Sequence, residues 1–572
     1  MDYSIKIGGE AGQGIQTVGD TIGRVFARTG YHVFTNQDYE SRIRGGHNFY
    51  QIRISDKRVT AARDTIDILA AFDRESIDLH AGEVAPQGRI IYDASVLKQT
   101  FDGAQFLDIP FTNLAAEHGG SGIMANTVAI GAMLGILGMD MDVLLAVIAE
   151  TFQKKGEHVI KANHASALAG FDYAVKHCAH CSFSAAAAAE PKMLIAGIDA
   201  IGFGAVAAGC RFYAAYPMTP STGIMNYLAA KETECGIIVE QAEDEIAAVN
   251  MALGASFAGV RAMTATSGGG FALMVEGLSL AAITETPIVI GLGQRPGPAT
   301  GLPTRTEQAE LQFALHTAHG EFPRVILAPG DPEQAFYLTN KAFDLTEKYQ
   351  VPVILVFDQY LADSQWTFTG FDLEKAVHKD YRLRAEALTS LHDYKRHAYT
   401  DNGVSPLAVP GESRHVVVTD SDEHTEDGHI TEDAETRMKM VEKRIFRKLP
   451  LIRSEITPPG HYGSAAPEVV LVGWGSTYGI IREAVDRLSG KKNIAMLHFS
   501  EIYPFPATDR FDYLTLLGNA KNTVCIENNA TGQFARLMRA ETGYVFTSMV
   551  HRYDGRPFTL ERLLGELDGH IG

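Results

Sequence analysis

The sequence predicts a multi-domain α/β protein. Three observations carry that expectation. Short apolar or alternating runs recur along most of the chain, each followed by a helical pattern. The 55 glycines suit many tight strand-to-helix turns. At 572 residues the chain exceeds what one hydrophobic core spans, so roughly three or four domains are expected.

The elements fall in order as follows. Residues 3–9 alternate as a strand that ends in glycines, and residues 13–28 follow with a helical period. Strand-like runs recur at 32–36, 49–54, 66–71 and 89–92, with helices at 127–137, 141–151 and 163–177. These make a first domain over 1–180. Residues 181–192, with their alanine run and Pro191, read as a linker. A second domain over 193–375 carries apolar strands at 212–215, 236–239, 261–264, 288–292, 324–328 and 353–357, the pattern of a parallel, doubly wound sheet. In such a sheet the loops at the carboxyl ends of the strands carry the site. Residues 376–458 are charged and irregular and read as an excursion between domains. A third domain over 459–572 opens on the buried strand 468–476, with further strands at 494–498 and 523–527. No repeat of 20–50 residues is visible.

Composition bounds the function. The chain is 46% hydrophobic and 21% charged, as ordinary globular proteins are. A net charge of −19 argues against nucleic acid or an anionic membrane as partner. Local basic pockets for small anions remain compatible with it. Met1-Asp2-Tyr3-Ser4-Ile5-Lys6 lacks the features of a signal peptide. The apolar stretch 123–139 is interrupted by Asn126, Thr127 and glycines and reads as a buried helix. Five cysteines suit a reducing compartment, and a cytoplasmic protein is expected.

Two segments in the second domain concentrate chemistry. One is Tyr216-Pro217-Met218-Thr219-Pro220-Ser221-Thr222. The other is Glu240-Gln241-Ala242-Glu243-Asp244-Glu245, which runs into a small-residue apolar helix with Ser267-Gly268-Gly269-Gly270 beyond it. Read alone, the acidic segment is either a helical first turn that complements the helix dipole or the source of one catalytic carboxylate. Glu245 stands at the head of the apolar run; Glu243 and Glu240 are rivals. Together the segments resemble the pyrimidine-binding domain of the 2-oxoacid:ferredoxin oxidoreductases. Thiamine diphosphate must lose the proton on its thiazolium C2, and a carboxylate bonded to its aminopyrimidine promotes that step. The resemblance assigns this catalytic role to Glu245. It places Tyr216, Pro217 and Thr219 at the cofactor, and Thr219 and Arg295 at a 2-oxoacid. The family's substrate arginine lies about fifty residues after the glutamate, and Arg295 follows Glu245 by 50. A guanidinium grips a carboxylate in bidentate fashion. Met218 stands where that motif usually has isoleucine, a volume-conserving swap.

Arg305, in Pro303-Thr304-Arg305-Thr306-Glu307-Gln308, resembles the same family's stretch. It either binds a distal carboxylate, as in 2-oxoglutarate, or pairs with Glu307 or Glu310. Gly8-Gly9-Glu10-Ala11-Gly12-Gln13-Gly14 is a glycine-rich strand-to-helix turn, with or without a bound phosphate. With Ser41-Arg42-Ile43-Arg44-Gly45-Gly46-His47 it resembles the family's gamma domain, which is associated with coenzyme A. Gly12, Gly14, Arg42 and Arg44 are the candidate contacts. Gly473-Trp474-Gly475-Ser476 and Glu527-Asn528-Asn529 resemble a transketolase C-terminal-like domain, which implies a role in subunit contacts. His177-Cys178-Ala179-His180-Cys181 reads as a helix end, with a thiol or metal site as the alternative. The acidic run Asp420–Asp427 reads as a solvated loop rather than a calcium site.

The chain has no four-cysteine cluster pattern and no Gly-Asp-Gly magnesium motif, and no metal ligand is assigned to it. The resemblance therefore implies an alpha subunit with a fused gamma domain. A beta subunit would hold the diphosphate half-site, Mg2+ and a [4Fe-4S] cluster in an (alpha-beta)2 heterotetramer. It implies coenzyme A-dependent oxidative decarboxylation of 2-oxoglutarate, with reduction of ferredoxin, reversible toward CO2 fixation. The alternatives are pyruvate, branched-chain or broad-range 2-oxoacids, or a non-catalytic coenzyme A-binding regulatory subunit.

Overall fold

The computed structural model describes residues 1–42, 45–178, 181, 183, 190–376 and 378–571. The chain forms two compact units, neither continuous in sequence. The first comprises Met1–Ile195, Asp363–Gly370 and Thr559–Leu564. The second comprises Ala196–Ala362, Phe371–Phe558 and Gly565–Gly572. Among the described residues no helix is long and apolar enough to cross a membrane.

The first unit is built on a mixed sheet. Its strands lie in the order Phe106–Asp108, Val84–Tyr92, Ile66–Ala71, Asp2–Ala11, Gly45–Ser55, His32–Asp38, Gln365–Phe368 and Met193–Ala196. The first four are parallel, and the next two pair antiparallel as a hairpin beside Asp2–Ala11. Helix Ile15–Arg28 is amphipathic: Ile15, Val18, Ile22, Val25 and Phe26 are buried on one stripe. Helices Ala125–Ile136 and Glu157–His177 cross backbone against backbone. A Cβ at Gly131 would collide with the Ala167 carbonyl, and one at Gly170 with the Val128 carbonyl. Glycine at both places is what lets the axes approach.

Most expected strands appear within a few residues of their predicted bounds. Gln365–Phe368, which the pattern counted with the second domain, instead lies beside His32–Asp38. Trp366 pairs with Phe34, and the Thr367 hydroxyl takes the Val33 N–H at 2.8 Å. Four residues are too few for a period to declare their partner. Helix Glu157–His177 ends at Cys178, whose N–H reaches the Ala174 carbonyl at 2.9 Å, as expected of a helix end. Cys178 and Cys181 form a disulfide, whereas Cys210, Cys235 and Cys525 are free. Ala179, His180, Ser184 and the alanine run 185–189 lie outside the described residues.

The second unit holds two sheets. One has the order Glu501–Tyr503, Val325–Leu327, Pro352–Asp358, Ile288–Gln294, Ala262–Ser267, Phe212–Ala215 and Ile238–Gln241. It is parallel as predicted, except that Glu501–Tyr503 joins its edge antiparallel. Its central strands are buried from end to end, as the continuous apolar runs require. The other sheet has the order Gly460–Gly463, Ile494–Phe499, Val469–Trp474, Asn522–Glu527 and Ser548–His551. Ile326 and Ile354 share one apolar core with Val470, Trp474, Phe499 and Phe534, so the two sheets pack as one body.

The charged segment 376–458 is anchored rather than loose. Glu285 sits just past helix Val275–Ile283 with φ 51, a backbone state that usually selects glycine. Its side chain explains the choice. The carboxylate accepts from Lys443 Nζ at 2.6 Å and from Lys448 Nζ, and His397 Nδ1 lies 3.4 Å away. Lys443 lies in the π-helical turn Glu442–Arg447 and Lys448 caps it, so residues five apart stack and both ammonium groups reach one carboxylate. The Arg396 guanidinium donates to the Glu285 carbonyl at 2.7 Å. Burial would raise the Glu285 carboxyl, but the two lysines outweigh it and hold it well below the usual carboxylate range. Within the acidic run, Glu423 accepts from Arg437 and Arg444, both at 2.6 Å. Among the described residues no group of three or more His, Cys, Asp or Glu is placed to hold a metal ion.

Glu285→Gln leaves two buried ammonium groups without their counter-charge. It is expected to destabilise the chain by about 3–5 kcal/mol, measured by denaturant unfolding at pH 7. Because the folded carboxyl titrates below its unfolded value, this contribution is present above the unfolded pKa, about 4.3, and is lost as the pH falls through the folded one. The gap between parent and variant must therefore narrow in acid; a constant gap would reject the ionic account.

Candidate active site

Four loops at the carboxyl ends of the parallel strands of the second unit meet around two carboxyl groups. Strand Ile238–Gln241 leads into helix Glu245–Phe257. Asp244 is its N-cap, extended in backbone, and takes the Ala247 N–H at 2.8 Å. The cap frees the next residue for other work. Glu245 is 3% exposed, and its Oε1 is buried without a hydrogen-bond partner. Its rivals Glu240 and Glu243 are both exposed. A buried acceptor left unpaired costs about 1–3 kcal/mol, so Glu245 is built to meet a donor from elsewhere.

Strand Ala262–Ser267 supplies the space for it. It runs into helix Gly268–Leu273 through three glycines. A Cβ at Gly270 would collide with the Thr266 hydroxyl and with Glu245 Oε1. A Cβ at Gly268 would lie 2.6 Å from Glu310 Oε1. The glycine turn therefore keeps the room beside both carboxyls clear of side chains. The hydroxyls of Thr264 and Ser267 are also buried and unpartnered.

The loop after strand Phe212–Ala215 closes on itself through the Ser221 hydroxyl, which donates to the Met218 carbonyl at 2.7 Å. Tyr216 is exposed; Pro217 and Thr219 are half-buried. Arg295, after strand Ile288–Gln294, is buried, and its Nη1 donates to the Thr219 carbonyl at 2.9 Å. The structure thus brings Thr219 and Arg295 together.

The loop that carries Arg305 is pinned from the third region of the chain. Gln308 donates its N–H to the Asn528 carbonyl at 2.7 Å, and Gln308 Oε1 accepts the Asn528 N–H at 3.0 Å. Gln308 Nε2 reaches the Trp474 carbonyl at 2.8 Å, and Asn529 Nδ2 reaches the Gln308 carbonyl at 3.1 Å. Glu527 in turn collects Trp474 Nε1, Asn529 Nδ2 and two backbone N–H groups. The two transketolase-like motifs therefore serve here as the clamp on the Arg305 loop. Arg305 itself is half-buried beside Gly555.

Three acids around this loop depart from ordinary behaviour. Burial pushes Glu307 up to about 7. Burial, reinforced by Glu307, pushes Glu310 up to about 8, against the pull of Arg295. Burial lifts Asp358 to about 6, although it accepts from Leu361 N at 2.9 Å and from the Ser476 hydroxyl. Sequence reasoning considered Glu307 and Glu310 only as partners for Arg305 and missed Asp358. Their one visible signal was two glutamates spaced three apart beside an arginine.

The first unit contains a separate cavity of about 320 Å³ at the glycine turn. Gly12, Gln13 and Gly14 line it, with Asp93, Thr112 and Asn126 opposite. Gly12 and Gly14 have φ of 95 and 76, and Gly14 is the N-cap of helix Ile15–Arg28. Gly12 and Gly14 are therefore where the sequence placed them. Arg42 is exposed, pairs with Glu40 at 2.9 Å and does not line this cavity. Arg44 lies outside the described residues.

Comparison with known proteins adds to this geometry. Residues 203–443 match the family described as pyruvate flavodoxin/ferredoxin oxidoreductase, thiamine diphosphate-binding. Residues 4–173 match the family described as pyruvate ferredoxin/flavodoxin oxidoreductase. A 2-oxoacid:ferredoxin oxidoreductase subunit alpha from Sulfolobus sp is 32% identical over 98% of this chain and 96% of its own. A 2-oxoglutarate synthase subunit KorA from Archaeoglobus fulgidus is 34% identical over 55% of this chain and 82% of its own. A solved 2-oxoglutarate:ferredoxin oxidoreductase from Magnetococcus marinus, with 2-oxoglutarate, coenzyme A and succinyl-CoA bound, superposes with a TM-score of 0.91. It is 32% identical and covers the whole of both chains. With sequence likeness running through both units, the chain belongs to the 2-oxoacid:ferredoxin oxidoreductases, among their alpha subunits.

Proposed function

We propose that this chain is the catalytic alpha subunit, with a gamma-type domain fused ahead of it, of a coenzyme A-dependent 2-oxoglutarate:ferredoxin oxidoreductase. It converts 2-oxoglutarate and coenzyme A to succinyl-CoA and carbon dioxide and passes two electrons to ferredoxin. The observation that carries the reading is the buried, unpartnered Glu245 Oε1 facing a glycine turn in the same unit as Thr219 and Arg295.

The residues fit thiamine diphosphate on that ground: an orphaned acceptor and a space cleared of Cβ atoms beside it. When bound, the cofactor supplies the nucleophilic carbon and the electron sink for decarboxylation. Glu245 would hold a proton at the pyrimidine ring, and its burial keeps water from competing for that bond. Arg295 grips the 1-carboxylate and Thr219 offers a hydroxyl to the oxo group. Arg305, on its clamped loop, meets the distal carboxylate of 2-oxoglutarate. The likeness to proteins named for 2-oxoglutarate supports that substrate. The cavity at Gly12 and Gly14 is the coenzyme A-associated element of the fused domain, because turn amides at a helix N-terminus suit phosphate. A beta subunit holds the diphosphate, Mg2+ and a [4Fe-4S] cluster, and the assembly is an (alpha-beta)2 heterotetramer.

Glu245→Gln in the reconstituted complex is expected to lower turnover at least about 10²-fold while the subunits still co-purify. Turnover within a factor of about two of the parent would remove Glu245 from the site. Arg305→Ala should raise the KM for 2-oxoglutarate about 10- to 100-fold, the worth of one charge-assisted bond. Pyruvate turnover should be unaffected. The readout is viologen reduction across 2-oxoglutarate, pyruvate and 2-oxoisovalerate, with and without coenzyme A. Equal losses on all three would move Arg305 away from the distal carboxylate.

A further inference from the structure

The Glu310 carboxyl meets the backbone N–H of Arg295 but does not pair with its guanidinium. The Glu310 N–H is tied to Gln294 Oε1 at 3.0 Å, one residue from Arg295 in sequence, and Gln294 is fully buried. Arg295 spends one N–H on the Thr219 carbonyl, and among the described residues it forms no ion pair. Glu310 Oε2 is buried with no hydrogen-bond partner, and Oε1 lies against the Gly268 side of the glycine turn. An ionised carboxylate in such a place would be drawn to the guanidinium. The other charges that bear on it are Glu307 and Asp358, both acidic, with Glu245 across the same turn. Glu307 and Asp358 oppose a second negative charge.

We propose that Glu310 is a positioning residue of the substrate site: uncharged, it leaves the Arg295 guanidinium for the carboxylate of the 2-oxoacid, and ionised, it takes that guanidinium for itself. The proposal rests on reading Arg295 as the 2-oxoacid-binding arginine. Burial and the neighbouring acids keep the carboxyl protonated until about pH 8. Below that pH the guanidinium is satisfied only in part and awaits an anion. Above it the substrate must displace an internal carboxylate. The proton on Glu310 thus acts on substrate affinity and not on the chemical step.

The test uses the reconstituted complex at saturating coenzyme A, with KM and kcat for 2-oxoglutarate followed by viologen reduction between about pH 6.5 and 9.5. The substrate carboxylates do not titrate in this range. The coenzyme A thiol, near 8.5, titrates equally in parent and variant. In the parent, KM is expected to climb about tenfold per pH unit above the Glu310 ionisation, with kcat little changed. Glu310→Gln, a neutral isostere, should keep the low-pH KM within about threefold and abolish the climb. A variant that climbs as the parent does, or that loses kcat at constant KM, would overturn the proposal. Should Glu310→Gln fail to assemble, Glu310→Asp decides: the KM step must move along the pH axis, and an unmoved step rejects Glu310 as its source. Arg295→Lys is measured in parallel at pH 7. A KM unchanged there would show that Arg295 is not the carboxylate ligand, and so would assign the failure to the functional reading rather than to Glu310.

Discussion

The reciprocal pair of hydrogen bonds between Gln308 and Asn528 is the constraint on which the site depends. A loop rich in glycine and proline has little secondary structure to hold it. Here one bond joins backbone to backbone, and in the other the Gln308 side-chain oxygen takes the Asn528 N–H. Everything on that loop inherits its rigidity: Arg305 before the pair, Glu307 beside it and Glu310 just after. Behind it stands Glu527, a fully buried carboxylate that gathers donors from Trp474, Asn529 and the start of helix Gln533–Thr542. A charge at that depth is tolerable only because each lone pair is met.

The Glu285 cluster does similar work at the other side of the unit. It fastens a long charged segment by a few strong, buried contacts instead of a continuous apolar face. The left-handed backbone at Glu285 is a local cost, offset by the ion pairs its side chain makes. The two devices share a logic. Irregular chain is made to behave as scaffold where a buried carboxylate gathers several donors. Glu245 and Glu310 differ from them in one respect, since Glu245 Oε1 and Glu310 Oε2 are left without partners.

Much of this was legible from the residues. Continuous apolar runs such as 353–357 announced buried parallel strands, because no surface strand keeps that composition. The helix head at Glu245 was marked by the change from acidic to small apolar residues. What stayed hidden was tertiary. Nothing in Gln-Trp-Thr-Phe says which sheet it joins, and nothing local says that Glu243 faces solvent while Glu245 does not. The raised carboxyls of Glu307, Glu310 and Asp358 are products of burial and mutual proximity, which a linear sequence does not display. The resemblance singled out the Trp474 and Asn528 motifs but not their use as a clamp.

The placement of Gln365–Phe368 beside His32–Asp38 bears on how the chain can be divided. The first 180 residues carry an apparently complete helical complement and six of the eight strands of their sheet. Cut there, the fragment would present the whole hydrogen-bonding edge of His32–Asp38, with Phe34 bared where Trp366 had lain. An uncovered, apolar strand edge is a template for self-association. The amino-terminal sheet is finished only by chain that is synthesised some three hundred residues later.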